Sequence, residues 1–191
     1  MPFLGFEAQE LFYLVVLTLA VGYIFSGFIK IPDTRYYLRR GFNWKDLKFA
    51  IMIAAPAVIL HELAHKFAAI SFGLSAHFYI LWEGLGLGVF LKLINSPFLI
   101  IAPGYVGIQA GATALQDMLI SFAGPATNLI LFLIAHLILT RAMSLTRIQA
   151  IGLMLTKRIN LILFIFNMLP IPPLDGSHVL MNLIKIISSS A

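Results

Sequence analysis

Long apolar runs separated by short polar segments dominate the chain, and they predict transmembrane helices. The runs cover about residues 8–29, 49–72, 116–139 and 159–175. A helix of about 20 mostly apolar residues crosses the hydrocarbon core of a bilayer. We therefore predict four main transmembrane helices, of which the fourth is broken near its end by the segment "NMLPIPPLDG".

The segment at about 76–112 has a different pattern, because glycine and strand-forming residues interrupt the apolar run. Glycines at positions 84, 86, 88, 104, 107 and 111 and prolines at 97 and 103 exclude a continuous helix here. We predict short strands in a membrane-associated β-hairpin, a small sheet or a re-entrant structure, covered by protein or lying at the membrane interface. Residues 177–188 are too few for another crossing and predict an interfacial helix.

These patterns predict an all-α polytopic membrane protein with a glycine-rich β-hairpin or small sheet, formed by residues 1–191 as a single domain. Composition agrees with this fold class, since 60% of residues are hydrophobic, 11% are charged and the mean hydropathy is +0.95. The absence of cysteine excludes disulfides and thiolate metal ligands. Scattered loop lysines and arginines account for the net charge of +5, so nucleic acid is not a predicted partner.

The second predicted span contains the ionisable sequence "HELAH", residues 61–65, within an otherwise apolar stretch. His61 and His65 are four residues apart, so they project from one face of a helix and can bind a single metal ion. Two imidazoles, a third protein ligand and an open position for water form a catalytic zinc site, in which the adjacent Glu62 would be the general base. The pattern also arises by chance, but three ionisable side chains inside a membrane are costly without a partner or a function.

Asp175, within "NMLPIPPLDG", is the best candidate for the third ligand. It follows an apolar span directly, in a proline-broken segment that tolerates polar groups when it is buried in protein. His61 lies about 12 residues into its span, which is roughly 18 Å along a helix from the basic connection at 30–48. Asp175 lies about 16 residues beyond Arg158, so both halves of the site are displaced toward the same face of the membrane.

The pairing of "HELAH" with "NMLPIPPLDG", and with "AGPATN" in the span between them, resembles the site-2 proteases, a family of intramembrane zinc metalloproteases. The resemblance implies one zinc ion per chain, with His61, His65 and Asp175 as its ligands. It implies that Glu62 is the catalytic acid/base and that Asn167 binds the substrate backbone or the developing oxyanion. The family's common "LDGGH" is here "LDGSH", which leaves the aspartate in place.

The same resemblance implies what the protein acts on and where. Its substrates would be transmembrane proteins, hydrolysed within their membrane-spanning segments, in the cell membrane of a prokaryote. The glycine-rich segment would correspond to membrane-associated β-structure in the family, to which an extended substrate can add as a strand.

Other polar residues near the spans have simpler interpretations. For His178 we favour an interfacial position over a role as a partner of the metal ligands. We interpret His77 and His136 as structural or interfacial. Asn128, in "AGPATN", needs a hydrogen-bond partner inside its span. We favour a role in helix packing over a role in contacting substrate. Gly124, in the same motif, is expected to allow close approach of helices.

Two other functional classes and the membrane orientation stay open at this point. A membrane transporter or metal channel would use the same residues as an ion site, although transporters often contain repeats, and this chain shows none. A prenyl-protein protease would pair HExxH with a distant glutamate, and Glu83 is the only acidic residue between Glu62 and Asp117. By the positive-inside rule, the basic loops at 30–48 and 141–158 lie in the cytoplasm. The resemblance to the site-2 proteases instead places these loops outside the cell.

Overall fold

The computed structural model describes residues 6–31, 42–96 and 104–189. The described part of the chain consists of helices and one two-stranded sheet, which confirms the predicted fold class. Most of the predicted basic connection at 30–48 falls at 32–41, outside the described residues. The elements in chain order are α1 (Ala8–Phe25), α2 (Trp44–Ser71), β1 (Ala76–Ile80), α3 (Trp82–Leu93), β2 (Gly104–Ile108), α4 (Ala114–Arg141), α5 (Arg147–Asn167) and α6 (Asp175–Ser189).

Helices α1, α2, α4 and α5 are each long and apolar enough to cross a membrane. The chain is a multi-pass membrane protein. Helix α2 lies at its centre and packs against α1, α4 and α5. In the most apolar 18-residue stretch of α2, 56% of the residues are buried, whereas only 6% are buried in the corresponding stretch of α5. The helix that carries "HELAH" is therefore the most enclosed of the four.

The main hydrophobic core lies where α1 packs on α2 and extends to the sheet. Leu17 and Val21 of α1 belong to the same buried cluster as the small residues Ala50 and Ala54 of α2, and all four are fully buried. Small residues at such contacts let two helices approach closely. Phe78 of β1 is fully buried in the same cluster, so the core fixes the sheet against the helix that carries the two histidines.

Helix α5 begins earlier than predicted, at Arg147 and not near residue 159. Thr146 and Gln149 form a capping box, in which each side chain binds the backbone N–H of the other residue. Hydropathy marks only the apolar part of a helix, whereas the capping box starts it in the polar segment. Lys157 consequently lies inside α5, where its Nζ is 3.1 Å from Nδ1 of His136 on α4.

The glycine-rich segment forms two strands with a helix between them, which the sequence predicted only in part. Strands β1 and β2 pair antiparallel, with Phe78 opposite Val106, as expected for a small sheet. Between them, the glycines at 84, 86 and 88 lie in helix α3, where strands were expected. A glycine costs a helix about 1 kcal/mol relative to alanine. Contacts with α1 offset this cost, since Lys92 donates to the carbonyl of Tyr23 and to Oγ of Ser26. The prolines at 97 and 103 lie outside the described residues.

Candidate metal centre

The three predicted metal ligands lie together. His61 and His65 occupy successive turns of α2, and Asp175 is the first residue of α6, two residues before the predicted start of that helix. The Nε2 atoms of the two histidines are 3.1 Å apart. Oδ2 of Asp175 is 3.2 Å from Nε2 of His61 and 3.5 Å from Nε2 of His65. The packing of α6 against α4 thus brings a residue distant in sequence to the face of α2.

These distances fit a tetrahedral zinc ion. Zinc binds imidazole nitrogen and carboxylate oxygen at about 2.0–2.1 Å, so two ligand atoms at tetrahedral positions are about 3.3 Å apart. The three observed distances between the donor atoms, 3.1, 3.2 and 3.5 Å, lie on either side of that value. Two nitrogens and one oxygen also leave a fourth position open, as in catalytic zinc sites.

The hydrogen bonds on the far side of each ring determine which nitrogen faces the centre. Nδ1 of His61 lies 2.7 Å from Oδ1 of Asn128, and Nδ1 of His65 lies 2.7 Å from the carbonyl oxygen of Ile120. An oxygen of either kind can only accept, so each Nδ1 carries the proton and each Nε2 presents a lone pair. Two nitrogen lone pairs and a carboxylate oxygen then converge, which is a donor set suited to a cation.

Glycine lets α4 approach the two histidine rings. A Cβ atom at Gly124 would lie 2.3 Å from Nε2 of His65 and 2.7 Å from Cε1 of His61. This confirms that Gly124 of "AGPATN" allows a close helix approach. Gly176 has the same role beside Asp175, because a Cβ there would lie 2.3 Å from the carbonyl oxygen of Met168. Both glycines thus leave room for the candidate ligand side chains without contributing donor atoms.

The centre is more open at the aspartate than at the histidines. The side chains of His61 and His65 are 9% and 10% exposed, whereas that of Asp175 is 24% exposed. The preceding segment, residues 169–173, is exposed at the molecular surface. The open side of the centre therefore lies along the "LPIPP" sequence.

The two residues predicted to be catalytic differ in their placement. Glu62 is buried next to His61 and, within the described residues, its carboxylate makes no hydrogen bond or ion pair. Asn167 is the last residue of α5 and is half-buried. In the part of the chain that the structure describes, its amide makes no hydrogen bond to the metal centre.

The other polar residues lie where the interpretations from sequence place them. His178 is exposed, with its Nδ1 3.8 Å from Oδ2 of Asp117, and His77 is half-buried, with its Nδ1 3.7 Å from Oε1 of Glu7, consistent with interfacial roles. Asn128 has the buried hydrogen-bond partners expected of it. It is fully buried and joins α4 to α2 and α5, because its amide donates to the carbonyl oxygen of Ala57 and to Asn160. Its Oδ1 also accepts a hydrogen bond from His61, which the sequence did not predict.

A buried ion pair between Glu10 and Lys66 was missed by the sequence analysis. Both side chains are almost fully buried, and Lys66 Nζ donates to Oε1 of Glu10. The same oxygen accepts the backbone N–H of Phe78 in β1 at 2.7 Å, while Oε2 accepts the backbone N–H of Glu7 at 2.9 Å. Lys66 Nζ also lies 4.4 Å from the ring centroid of Phe6. One carboxylate thus joins α1, α2 and β1.

A signal for this pair was present in the sequence. Glu10 and Lys66 are ionisable residues inside predicted spans, and such residues need a partner or a function. Lys66 directly follows His65. The ion pair therefore fixes the sheet to the turn of α2 that carries the second histidine.

We expect Lys66→Met to lower the free energy of unfolding by about 3–5 kcal/mol, because it leaves a buried carboxylate without its charge partner. The double variant Glu10→Gln/Lys66→Met should lose less, since it removes both charges. Reversible unfolding in detergent, followed by circular dichroism, measures both effects. Lys45→Met, at an exposed position in the first turn of α2, is the control. Wild-type stability of Lys66→Met would contradict the structural role of the pair.

Comparison with known proteins identifies the family. The model of peptidase family M50 matches residues 141–191, the segment that contains α5, α6 and Asp175. The chain is 37% identical over 186 residues to the candidate zinc metalloprotease MJ0611 of Methanocaldococcus jannaschii, in an alignment that covers 94% of the chain and 87% of that relative. The chain belongs to peptidase family M50.

Further relatives of this M50 chain match over shorter regions. It is 33% identical over 143 residues to the candidate zinc metalloprotease Rip2 of Mycolicibacterium smegmatis, in an alignment that covers 67% of the chain and 55% of Rip2. It is 38% identical over 78 residues to the candidate zinc metalloprotease YwhC of Bacillus subtilis, in an alignment that covers 37% of the chain and 36% of YwhC. No solved structure matches the chain. The M50 protein is a zinc metalloprotease of the site-2 type, with Zn²⁺ as its cofactor.

Proposed function

We propose that this M50 protein hydrolyses peptide bonds within the transmembrane segments of protein substrates, at a zinc ion bound by His61, His65 and Asp175. The observation that carries the proposal is the convergence of two imidazole lone pairs and a carboxylate oxygen within one bundle of apolar helices. The centre opens beside Asp175, within reach of other membrane-embedded chains.

Glu62 is proposed as the general base. When bound, zinc supplies a Lewis acid that makes water nucleophilic at neutral pH. The carboxylate of Glu62 is free of hydrogen bonds to described residues and lies next to His61, so it can accept a proton from the attacking water. It can then deliver that proton to the amine of the departing peptide. Asn167 is proposed to bind the substrate backbone, for which its amide offers both a donor and an acceptor.

Hydrolysis requires an extended substrate, and we propose that β2 receives it. The N–H of Gln109 donates to the carbonyl of Ser75, so this pair exchanges hydrogen bonds across the sheet. Antiparallel pairs alternate, so the backbone groups of Phe78 and Val106 point away from the partner strand. On β1 that outward N–H is taken by Glu10. The outward edge of β2 therefore suits strand addition better than that of β1.

The position of β2 supports this role. Val106 and Ile108 pack against the buried cluster formed by Ala69, Ala76 and Ile120. The carbonyl oxygen of Ile120 on α4 accepts the Nδ1–H of His65, so a strand added beside Val106 would lie close to the elements that hold a proposed metal ligand. A cavity of about 400 Å³ continues from Ile108 and Gln109 to Asn182 on α6, the helix that begins with Asp175.

Cleavage of single-span substrates in proteoliposomes tests the proposal. A matched pair of peptides, one with a leucine and alanine span and one with Gly-Pro at the centre of that span, is incubated with the purified protein. We expect cleavage within the apolar segment, faster for the Gly-Pro peptide because its carbonyls are less shielded by helical hydrogen bonds. A chelator should abolish cleavage and added zinc should restore it. Products cut only outside the span, located by mass spectrometry, would contradict the proposal.

A further inference from the structure

Two buried asparagines connect His61 to helix α5. Asn128 and Asn160 are each fully buried. Nδ2 of Asn128 donates to Oδ1 of Asn160 and to the carbonyl oxygen of Ala57, both at 2.9 Å. Nδ2 of Asn160 donates to the carbonyl oxygen of Thr156 at 2.8 Å. Together with the bond from His61, every polar atom of the Asn128 amide has a partner.

The direction of each hydrogen bond follows from the backbone carbonyl at the end of the chain. A carbonyl oxygen can only accept, so Asn160 must present its NH₂ group to Thr156 and its oxygen to Asn128. Asn128 must then present its own NH₂ group to Asn160, which leaves its oxygen for His61. The proton on the ring is thereby assigned to Nδ1, and the lone pair to Nε2 on the side of the metal centre.

Asn128 also fixes the ring against its own helix. Ala57 precedes His61 by one helical turn, so the amide of Asn128 binds both ends of that turn, the carbonyl oxygen at one end and the imidazole at the other. His65 has no such device, because its Nδ1 bonds directly to a backbone carbonyl of α4. The two histidines are therefore held by different means.

We infer that Asn128 and Asn160 are positioning residues that set the tautomer and orientation of His61 from helix α5. The inference rests on the proposed function, in which His61 binds zinc through Nε2. Groups that orient a metal-binding histidine typically contribute 10- to 100-fold to metal affinity or activity. Helix α5 thus takes part in zinc binding without supplying a ligand.

The two substitutions should differ in size. Asn128→Leu leaves Nδ1–H of His61 without an acceptor and frees the ring, so we expect zinc affinity to fall by about 10- to 100-fold. Asn160→Leu should have a smaller effect, because the carbonyl of Ala57 still orients the amide of Asn128.

Competition between the purified protein and a zinc chelator of known affinity measures these differences in detergent. The matched control is Thr127→Val, which removes a side-chain hydrogen bond to Ala123 within α4 next to Asn128, and which should keep wild-type affinity. Asn128→Leu has a second readout, the ¹⁵N NMR shifts of labelled histidine in metal-free protein. We expect the Nδ1–H form of His61 to be replaced in part by the Nε2–H form.

His61→Ala separates this inference from the proposed function. Wild-type zinc affinity in His61→Ala would refute the proposed ligand set. If His61→Ala loses zinc while Asn128→Leu binds it as tightly as the wild type, the positioning role alone is refuted.

Discussion

Glu62→Gln is expected to lower the rate of substrate cleavage by about a hundredfold or more while one zinc ion per chain is retained. The amide has nearly the size of the carboxylate, so the buried position beside His61 stays filled. It cannot accept a proton from the attacking water, and loss of general-base catalysis typically costs about 10²- to 10⁴-fold. Cleavage of the Gly-Pro peptide and metal analysis of the same preparation give the two measurements.

Glu83→Gln is the matched control for this prediction. It makes the same chemical change at an exposed glutamate in the first turn of α3, and it should leave the rate unchanged. A Glu62→Gln protein that cleaves at the wild-type rate would remove Glu62 from the chemistry. It would also revive the transporter interpretation, in which the same ion site needs no general base.

Asp175→Ala is expected to lower zinc affinity by more than about a hundredfold. This loss exceeds the loss expected when a residue that only orients a metal ligand is substituted. The substitution removes one of three proposed protein ligands and the negative charge that faces the two Nε2 atoms. Metal binding also stabilises the folded state, so the melting temperature should become insensitive to added zinc. Metal content and thermal unfolding with and without zinc measure both effects.

Asp117→Ala provides a control of the same chemical type. Asp117 lies in the first turn of α4 and accepts a hydrogen bond from Asn182 on α6 at 2.5 Å, so its loss tests the packing of the helix that carries Asp175. We expect this variant to keep its zinc. Unchanged zinc affinity in Asp175→Ala would exclude Asp175 from the site.

The residues that converge at the metal centre could be predicted from sequence because their chemistry is unusual in its setting. Two histidines at helical spacing in an apolar run need a partner, and an aspartate in a proline-broken segment is a rare acid at similar depth. The helix boundaries were harder to predict. The start of α5 depends on the capping box at Thr146, and the formation of α3 depends on contacts with α1, which hydropathy does not report.

The residues that support the centre were harder to predict, because their roles depend on tertiary contacts. Asn160 is an ordinary polar residue in a helix until Asn128 is placed opposite it. Glu10 is near the start of the described chain and meets Lys66 only because α1 packs on α2. Each is a polar residue in an apolar run and therefore needs a partner, but the sequence does not specify which partner it finds.

The carboxylate of Glu10 on the outer edge of β1 bears on how copies of this protein meet one another in the membrane. An uncovered strand edge is a template for aggregation, because any extended chain can pair with it. A second copy approaching β1 would have to displace a buried ion pair before its backbone could bond to Phe78. Self-association through that edge is therefore disfavoured. Under the proposed function, the described sheet therefore has one edge, on β2, that receives foreign chains, while the ion pair covers the other edge, on β1.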